Sequence, residues 1–330
     1  MKLIMFGSRE DEHAASNEWS KKRGVEVKNV FEALTLENID LVNGFDGVTT
    51  CQTKKADQKI YKELKDRGIK QIASRTAGVD MFDMQEATKN GITITNVPVY
   101  SPNAIAEYAI TASLNIVRHV DHIKEAMKQQ DYRWRKEILS KEIRSMTVAI
   151  IGTGRIGRIA AQIFKGFGAR VIGFDLYPSE EAKGYIEYVD TLEEAIGQAD
   201  LISLHMPATK DNFHLFNKEV FDKVKKGAFF VNTARGTIVD TKALIEALNS
   251  GKVAGAALDT YENEFNYYTK DCSGKEIEDE MLKELTKRND VLITPHIAFY
   301  TETAVQALVE GGLDGAYDVL KDGTSKFKVN

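Results

Sequence analysis

Four short polar clusters carry residue types able to bind an anion and to move a proton: His205-Met206-Pro207, Asn232-Thr233-Ala234-Arg235-Gly236, Asp259-Thr260-Tyr261-Glu262-Asn263-Glu264 and Thr294-Pro295-His296. Each lies at the end of an apolar run that reads as a strand, at Leu201 to Leu204, Ala228 to Val231, Val253 to Leu258 and Val291 to Thr294. Ligands of an open parallel sheet gather beyond the carboxyl ends of its strands, so the four clusters share one rim. Among them, Arg235, Glu264 and His296 form a chemical set. A guanidinium binds a carboxylate and a keto oxygen, an imidazolium donates a proton to a developing alkoxide, and a carboxylate holds that imidazole oriented and charged. Taken singly, the three read as a surface ion-pair residue, a solvated loop acid and a core histidine; their joint placement at strand ends favours catalysis. Spacing alone leaves Glu262 and Glu264 both open as the partner of His296. His205 also ends a strand, has no acid paired with it, and suits packing near a cofactor.

The element that would position a reactant against this set is Thr147 to Gly157. A buried strand runs into Gly152-Thr153-Gly154-Arg155-Ile156-Gly157, a helix follows, and a second strand, Val171 to Phe174, delivers Asp175. Gly152 allows the tight turn, Gly154 lets a pyrophosphate approach the backbone, and Gly157 lets helix and strand pack closely. The helix N-terminus offers free N–H groups to phosphates. Asp175 can accept both ribose hydroxyls and would repel a 2′-phosphate, and Leu176 and Tyr177 supply no cation to receive one. The expected cofactor is NAD rather than NADP.

At 330 residues the chain is long enough for two domains, and 43% hydrophobic with 28% charged residues is a soluble globular composition. The net charge of −5 is spread along the chain, which speaks against nucleic acid or an anionic membrane as a partner. No apolar run approaches the ~20 residues of a bilayer span, and residues 1 to 7 are too short for a signal peptide, so a cytoplasmic location is expected. Cys51 and Cys272 belong to no metal or redox motif and read as free thiols. His119 and His122 read as a solvated pair, and no metal site is expected.

Residues 1 to about 100 alternate β-rich runs (Leu3 to Phe6, Val25 to Val30, Gly47 to Thr50, Gln71 to Ser74, Thr93 to Asn96) with amphipathic stretches such as Asp57 to Arg67. The expected fold class is α/β, with two Rossmann-like or flavodoxin-like doubly wound parallel-sheet domains and a cleft between them. Ser101-Pro102 marks a boundary, as N-cap and first helical residue. The NAD-binding domain is placed at 101–298. A discontinuous substrate domain is placed at 1–100 and 299–330, with a final helix from about Thr301 to Leu320. A helix from Asn103 to Gln130 is apolar on more than one face, which suggests burial on both sides and a homodimer contact.

These segments resemble the signature of the D-specific 2-hydroxyacid dehydrogenases, most nearly the bacterial fermentative D-lactate dehydrogenases. Gly152 to Gly157, Asn232 to Gly236, Asp259 to Glu264 and Pro295-His296-Ile297-Ala298 carry the resemblance. Arg75-Thr76-Ala77-Gly78-Val79-Asp80 and Asn96 to Glu107 extend it through almost the whole chain. The resemblance implies that Arg235 binds substrate, His296 is the acid/base and Glu264 its partner. It also implies that amides of Ala77 and Gly78 hold the substrate carboxylate, with Tyr100 nearby, and that Trp134 reaches a neighbouring subunit's pocket, although by residue type Trp134 reads equally as a surface-anchoring aromatic. For the cofactor it points to Arg155 and Ile156 at the pyrophosphate, Asp175 at the ribose, Met206, Pro207, Asn212, Thr233 and Ala234 along the dinucleotide, and Asp259 at the nicotinamide.

By the same resemblance Cys51 meets the substrate side chain, and Tyr100, Phe299 and Trp134 crowd that space. A bulky wall favours a methyl group, hence pyruvate and an NAD-dependent D-lactate dehydrogenase. A medium-sized Cys51 leaves room for branched or aromatic 2-keto acids, the alternative reading. A third reading is an NAD(H)-sensing regulatory protein, disfavoured by the intact Arg235, Glu264 and His296 set.

Overall fold

Short apolar runs separated by amphipathic stretches make two parallel sheets, each sandwiched between helices. The computed structural model describes residues 1–52 and 55–330, and its chain divides into two units, Met1–Ser101 with Tyr300–Asn330, and Pro102–Phe299.

The first unit runs β1 (Lys2–Phe6), α1 (His13–Arg23), β2 (Glu26–Asn29), β3 (Gly47–Thr50), α2 (Lys59–Asp66), β4 (Gln71–Ser74), α3 (Met84–Lys89) and β5 (Thr93–Thr95). These five strands pair in parallel, in the order β2-β1-β3-β4-β5. That is the 2-1-3-4-5 order of flavodoxin-like sheets. Strands β3 and β4 are buried along their whole length, as expected where helices cover both faces.

The second unit supplies α4 (Pro102–Val117), α5 (Val120–Lys128), β6 (Thr147–Ile151), α6 (Arg155–Gly166), β7 (Arg170–Phe174), β8 (Glu187–Tyr188), α7 (Leu192–Gln198), β9 (Leu201–Leu204), α8 (Lys218–Lys223), β10 (Ala228–Asn232), α9 (Thr241–Asn249), β11 (Val253–Leu258), α10 (Glu280–Lys287) and β12 (Val291–Ile293). Its seven strands are parallel in the order β12-β11-β10-β9-β6-β7-β8. Counted within the unit this is 3-2-1-4-5-6 with a seventh strand added, the doubly wound dinucleotide order. Ala149 and Ile151 join one apolar cluster and Val148 and Ile150 the other, so alternate residues of β6 serve the two faces.

The last helix, α11 (Glu302–Asp322), returns to the first unit and packs on β3, β4, β5 and α1. Trp19 Nε1 and Arg23 Nη2 both donate to Asp314 Oδ1, at 2.9 and 2.8 Å, and clip α1 to it. Thr301 caps it by accepting from the Ala304 N–H. The residues after α11 then shield the β5 edge, with Val329 N–H on Ile94 O at 2.9 Å.

The single helix expected from Asn103 to Gln130 is a correction: it is two helices, broken where His119 adopts a left-handed backbone at φ 52°. The apolar surround of Ala104 to Val117 is covered within its own unit, chiefly by α6, β10 and β11. Helix α5 buries no residue. Among the described residues no helix is long and apolar enough to cross a membrane.

The close approach of α6 to the turn before it gives a test. A Cβ at Gly157 would stand 2.0 Å from the Gly152 carbonyl oxygen, whereas one at Gly166, in the same helix, meets nothing within 4 Å. Gly157→Ala is expected to cost about 1–3 kcal/mol or more, and Gly166→Ala to be neutral or stabilising. Thermal unfolding of the two variants checks this, and equal melting temperatures contradict it.

Candidate active site

The rim of the second sheet is held together by its own backbone. Asn232, fully buried at the end of β10, accepts from the Ala234 N–H and donates to the Arg235 carbonyl, each at 2.9 Å, which folds Thr233 to Arg235 into a tight turn. Gly236 then passes against the next loop. A Cβ there would lie 2.1 Å from the Tyr261 carbonyl carbon, so only glycine lets these two loops meet. Arg235 is half-buried, donates through Nη1 to its neighbour Ala234 O at 2.8 Å, and pairs with no carboxylate among the described residues. A guanidinium left in that state is a receptor for an anion.

The loop after β11 carries the acids. Glu264 accepts from the Tyr261 N–H at Oε2 (3.0 Å) and lies against His296 Nδ1 at Oε1 (2.8 Å). A carboxylate only accepts, so Nδ1 carries the proton and Nε2 is the nitrogen left to exchange one with substrate. Glu262 is committed elsewhere: its Oε2 meets His214 Nε2 at 2.9 Å and its Oε1 accepts from the Thr241 N–H. Asp279, the cap of α10, steadies the same loop by accepting from Tyr261 Oη (2.7 Å) and Asn263 Nδ2 (3.1 Å). Tyr268 lies nearby with a buried hydroxyl that has no partner among the described residues; burial, and then Glu264 and Asp259, push its pKa up.

His296 has a left-handed backbone, φ 57°, which a non-glycine residue adopts at a cost. Asp259 secures it. The His296 N–H donates to the Asp259 carbonyl (2.8 Å), and the Asp259 carboxylate accepts from Thr294 Oγ1 (2.7 Å), Ile297 N–H (2.9 Å) and Ala298 N–H (2.8 Å). Asp259, which the resemblance places at the nicotinamide, thus also holds the histidine turn.

The cofactor residues lie around β6, β9 and β10. Gly154 is exposed at the start of α6 with open space where a Cβ would be, Arg155 is exposed beside it and Ile156 half-buried. Asp175 accepts from Thr153 N–H (2.5 Å) and Thr153 Oγ1 at Oδ2, and from Tyr177 N–H at Oδ1, which keeps acceptor capacity for a ribose hydroxyl. Asn212 closes its own loop, donating to Pro207 O (2.8 Å) and Met206 Sδ (3.6 Å). The buried Thr233 hydroxyl has no partner among the described residues. An open glycine turn at a helix N-terminus, a ribose-side carboxylate and an orphaned hydroxyl at the rim fit a dinucleotide.

In the first unit, Cys51 follows β3, and Ala77 and Gly78 follow β4. Asn96 Nδ2 donates to Ala77 O and Thr76 Oγ1 to Gly78 O, both at 2.6 Å. The amides of Ala77 and Gly78 meet no acceptor among the described residues. Tyr100 and Phe299 are half-buried and Trp134 is wholly exposed. The clamps at Asp259 and Asp279 were not foreseen from sequence. Asp279 carries a signal as an acid heading a helix, but its partners lie close only in the folded chain.

His205 supplies a pH test. Part of the residue reaches the surface, yet its Nδ1 is shut off from water without a partner among the described residues, and its Nε2 meets Ser203 Oγ at 2.9 Å. Burial pushes its pKa down to about 4. The unfolded chain then binds a proton near pH 6.5 that the folded chain refuses, so stability is complete above that pH and falls as pH drops toward 4. The loss is at most about 3 kcal/mol. In His205→Gln the stability curve from pH 6.5 to 4 is expected to be flatter; an unchanged slope in chemical unfolding refutes this.

Comparison with known proteins identifies the family. Residues 110–298 match the model of the D-isomer specific 2-hydroxyacid dehydrogenase NAD-binding domain. A Staphylococcus epidermidis D-lactate dehydrogenase is 47% identical over 329 residues, covering 100% of this chain and 99% of the relative. A D-lactate dehydrogenase structure from Treponema pallidum superposes with a TM-score of 0.92 at 42% identity, covering 100% of both chains. A D-2-hydroxyisocaproate dehydrogenase does so with 0.91 at 37% identity, covering 100% of this chain and 99% of the other. A carboxylate-held histidine, an unpaired guanidinium and a dinucleotide turn on these sheets, in a chain matched along its whole length, place it in the D-isomer specific 2-hydroxyacid dehydrogenases, NAD-dependent oxidoreductases.

Proposed function

We propose that this chain is a D-lactate dehydrogenase that reduces pyruvate to D-lactate and runs the reverse reaction. The observation that carries the reading is the Glu264–His296 contact at 2.8 Å in a chain 47% identical to a protein named D-lactate dehydrogenase. NADH, held by the Gly152–Gly157 turn and Asp175, supplies the hydride when bound. Arg235 binds the substrate carboxylate and polarises the keto group, and the amides of Ala77 and Gly78 bind the carboxylate as well. His296 Nε2 donates the proton to the carbonyl oxygen as its negative charge develops, and takes it back in lactate oxidation. Glu264 holds the ring in the donating orientation through Nδ1 and stabilises its charged form.

In this reading residues 1–100 and 299–330 form the substrate domain and 101–298 the NAD domain. Cys51, Tyr100 and Phe299 limit the substrate side chain. The likeness to a D-2-hydroxyisocaproate dehydrogenase keeps larger 2-keto acids as the second reading. The dimer contact is proposed at α4, α5 and the segment beyond, because Met127, Tyr132, Trp134 and Leu139 are exposed there, Trp134 completely. Light scattering of the purified protein reads that mass.

Turnover of NADH with a panel of 2-keto acids, followed by chiral chromatography, tests the function. Pyruvate is expected to give the highest kcat/KM and D-lactate to be the product. L-lactate, or no turnover, overturns the assignment, and a preference for branched acids selects the second reading. His296→Ala is expected to lower kcat by roughly 10²–10⁴. Arg235→Lys keeps the charge but loses the planar fork, so it should raise the pyruvate KM strongly and also lower kcat. A His296→Ala enzyme with near-normal kcat removes that residue from the mechanism.

A further inference from the structure

The loops of the first unit to which the proposed function assigns substrate contacts spring from the ends of β3 and β4, and a chain of four charges ties those ends to that of β1. Arg75, wholly buried just past β4, donates through Nη2 to the carbonyls of Phe6 (3.1 Å) and Gly7 (3.0 Å) and to Glu12 Oε2 (3.1 Å). Its Nη1 donates to Thr49 Oγ1 in β3 at 2.9 Å. Glu12, 1% exposed, also accepts from the Arg9 N–H (2.9 Å) and lies 3.3 Å from Arg9 Nη2. Arg9 pairs with Asp11 at 3.1 Å, reaches the Cys51 sulfur with Nη1 at 4.0 Å, and lies over the Tyr300 ring, 5.5 Å from its centroid. Cys51 is also pressed on β1: its N–H donates to Phe6 O, and a Cβ at Gly7 would stand 2.5 Å from its carbonyl oxygen.

A buried ion pair is an inefficient source of stability, since desolvation offsets most of its attraction. What it does supply is geometry: a planar guanidinium with several fixed acceptors allows one arrangement of the strand ends that carry them. The two guanidiniums and two carboxylates also balance, so no net charge stands behind Cys51 to draw in an acidic side chain. We infer that Arg9, Glu12 and Arg75 are positioning residues for the 2-keto acid, with Arg9, through Cys51, also setting which substrate side chain is accepted. The inference rests on the proposed function, because that reading makes Cys51, Ala77 and Gly78 substrate contacts.

The test uses the full-length enzyme with NADH and compares wild type, Arg9→Met, Arg9→Lys and Glu12→Gln. Each is measured for kcat and KM with pyruvate and with 2-ketobutyrate, for NADH binding by fluorescence, and for thermal unfolding. In Arg9→Met the pyruvate KM is expected to rise about tenfold or more, with NADH affinity unchanged and the preference between the two acids altered. Arg9→Lys should not restore it, because the fork is missing, and Glu12→Gln should move the same quantities in the same direction. Two results overturn the inference: a folded Arg9→Met with pyruvate KM and preference within about twofold of wild type, or losses spread equally over NADH affinity, both acids and melting temperature. A wild type that binds NADH yet reduces no 2-keto acid overturns the proposed function and this inference with it, whereas an active wild type beside unaltered variants overturns the inference alone.

Discussion

The contact between Glu264 and His296 makes the heaviest demand on the second unit, because the proposed proton donor has to present one nitrogen while the other is fixed. The geometry is reached through a left-handed backbone at His296, a conformation that costs a non-glycine residue about 1–2 kcal/mol. Four hydrogen bonds to Asp259, from the residues on both sides of the histidine and from the histidine itself, offset that cost. They depend in turn on sheet register. Leu258 of β11 is paired with Ile293 of β12, so Asp259 and the Thr294 to Ala298 turn emerge side by side. A shift of one residue in that pairing would move Asp259 away from every donor it now serves.

The same device recurs across the chain. Several carboxylates serve as acceptors that lock loops: Asp259 for the histidine turn, Glu262 for His214 and the start of α9, Asp279 for the Tyr261–Asn263 loop and Glu12 for the strand ends of the first unit. Each gathers hydrogen bonds that a neutral group could not accept as strongly. Among the described residues, Arg235 is left without a carboxylate partner and the Ala77 and Gly78 amides without an acceptor. Acceptors spent on structure and donors kept free suit a protein whose ligand is an anion.

Much of this was legible in sequence, and the physical reason is period and spacing. Parallel strands buried on both faces tend to read as apolar runs, which located β9 and β11 to the residue, whereas β3 and β4, polar at half their positions, were located as short β-rich runs between amphipathic stretches. The dinucleotide turn was legible because each glycine answers a local steric need. The helix proposed for 103–130 failed because helical periodicity survives a single left-handed residue, and nothing about the residue type of His119 announces one. The two-residue β8 carries too few residues for any period to show.

The residue types for a 2-keto acid, the NAD turn and the alternation that builds two parallel sheets follow from the chain alone, since each depends on neighbours a few residues apart. Which acid serves His296 does not. Glu262 and Glu264 are two residues apart in one loop, and only the folded path, with His214 drawing off Glu262, leaves Glu264 on the imidazole. The bond from Trp19 to Asp314 and that from Arg75 to Glu12 span 295 and 63 residues, respectively. Hydrogen bonds at such separations exist because sheet order and helix packing bring distant segments together, and no local pattern in the sequence records them.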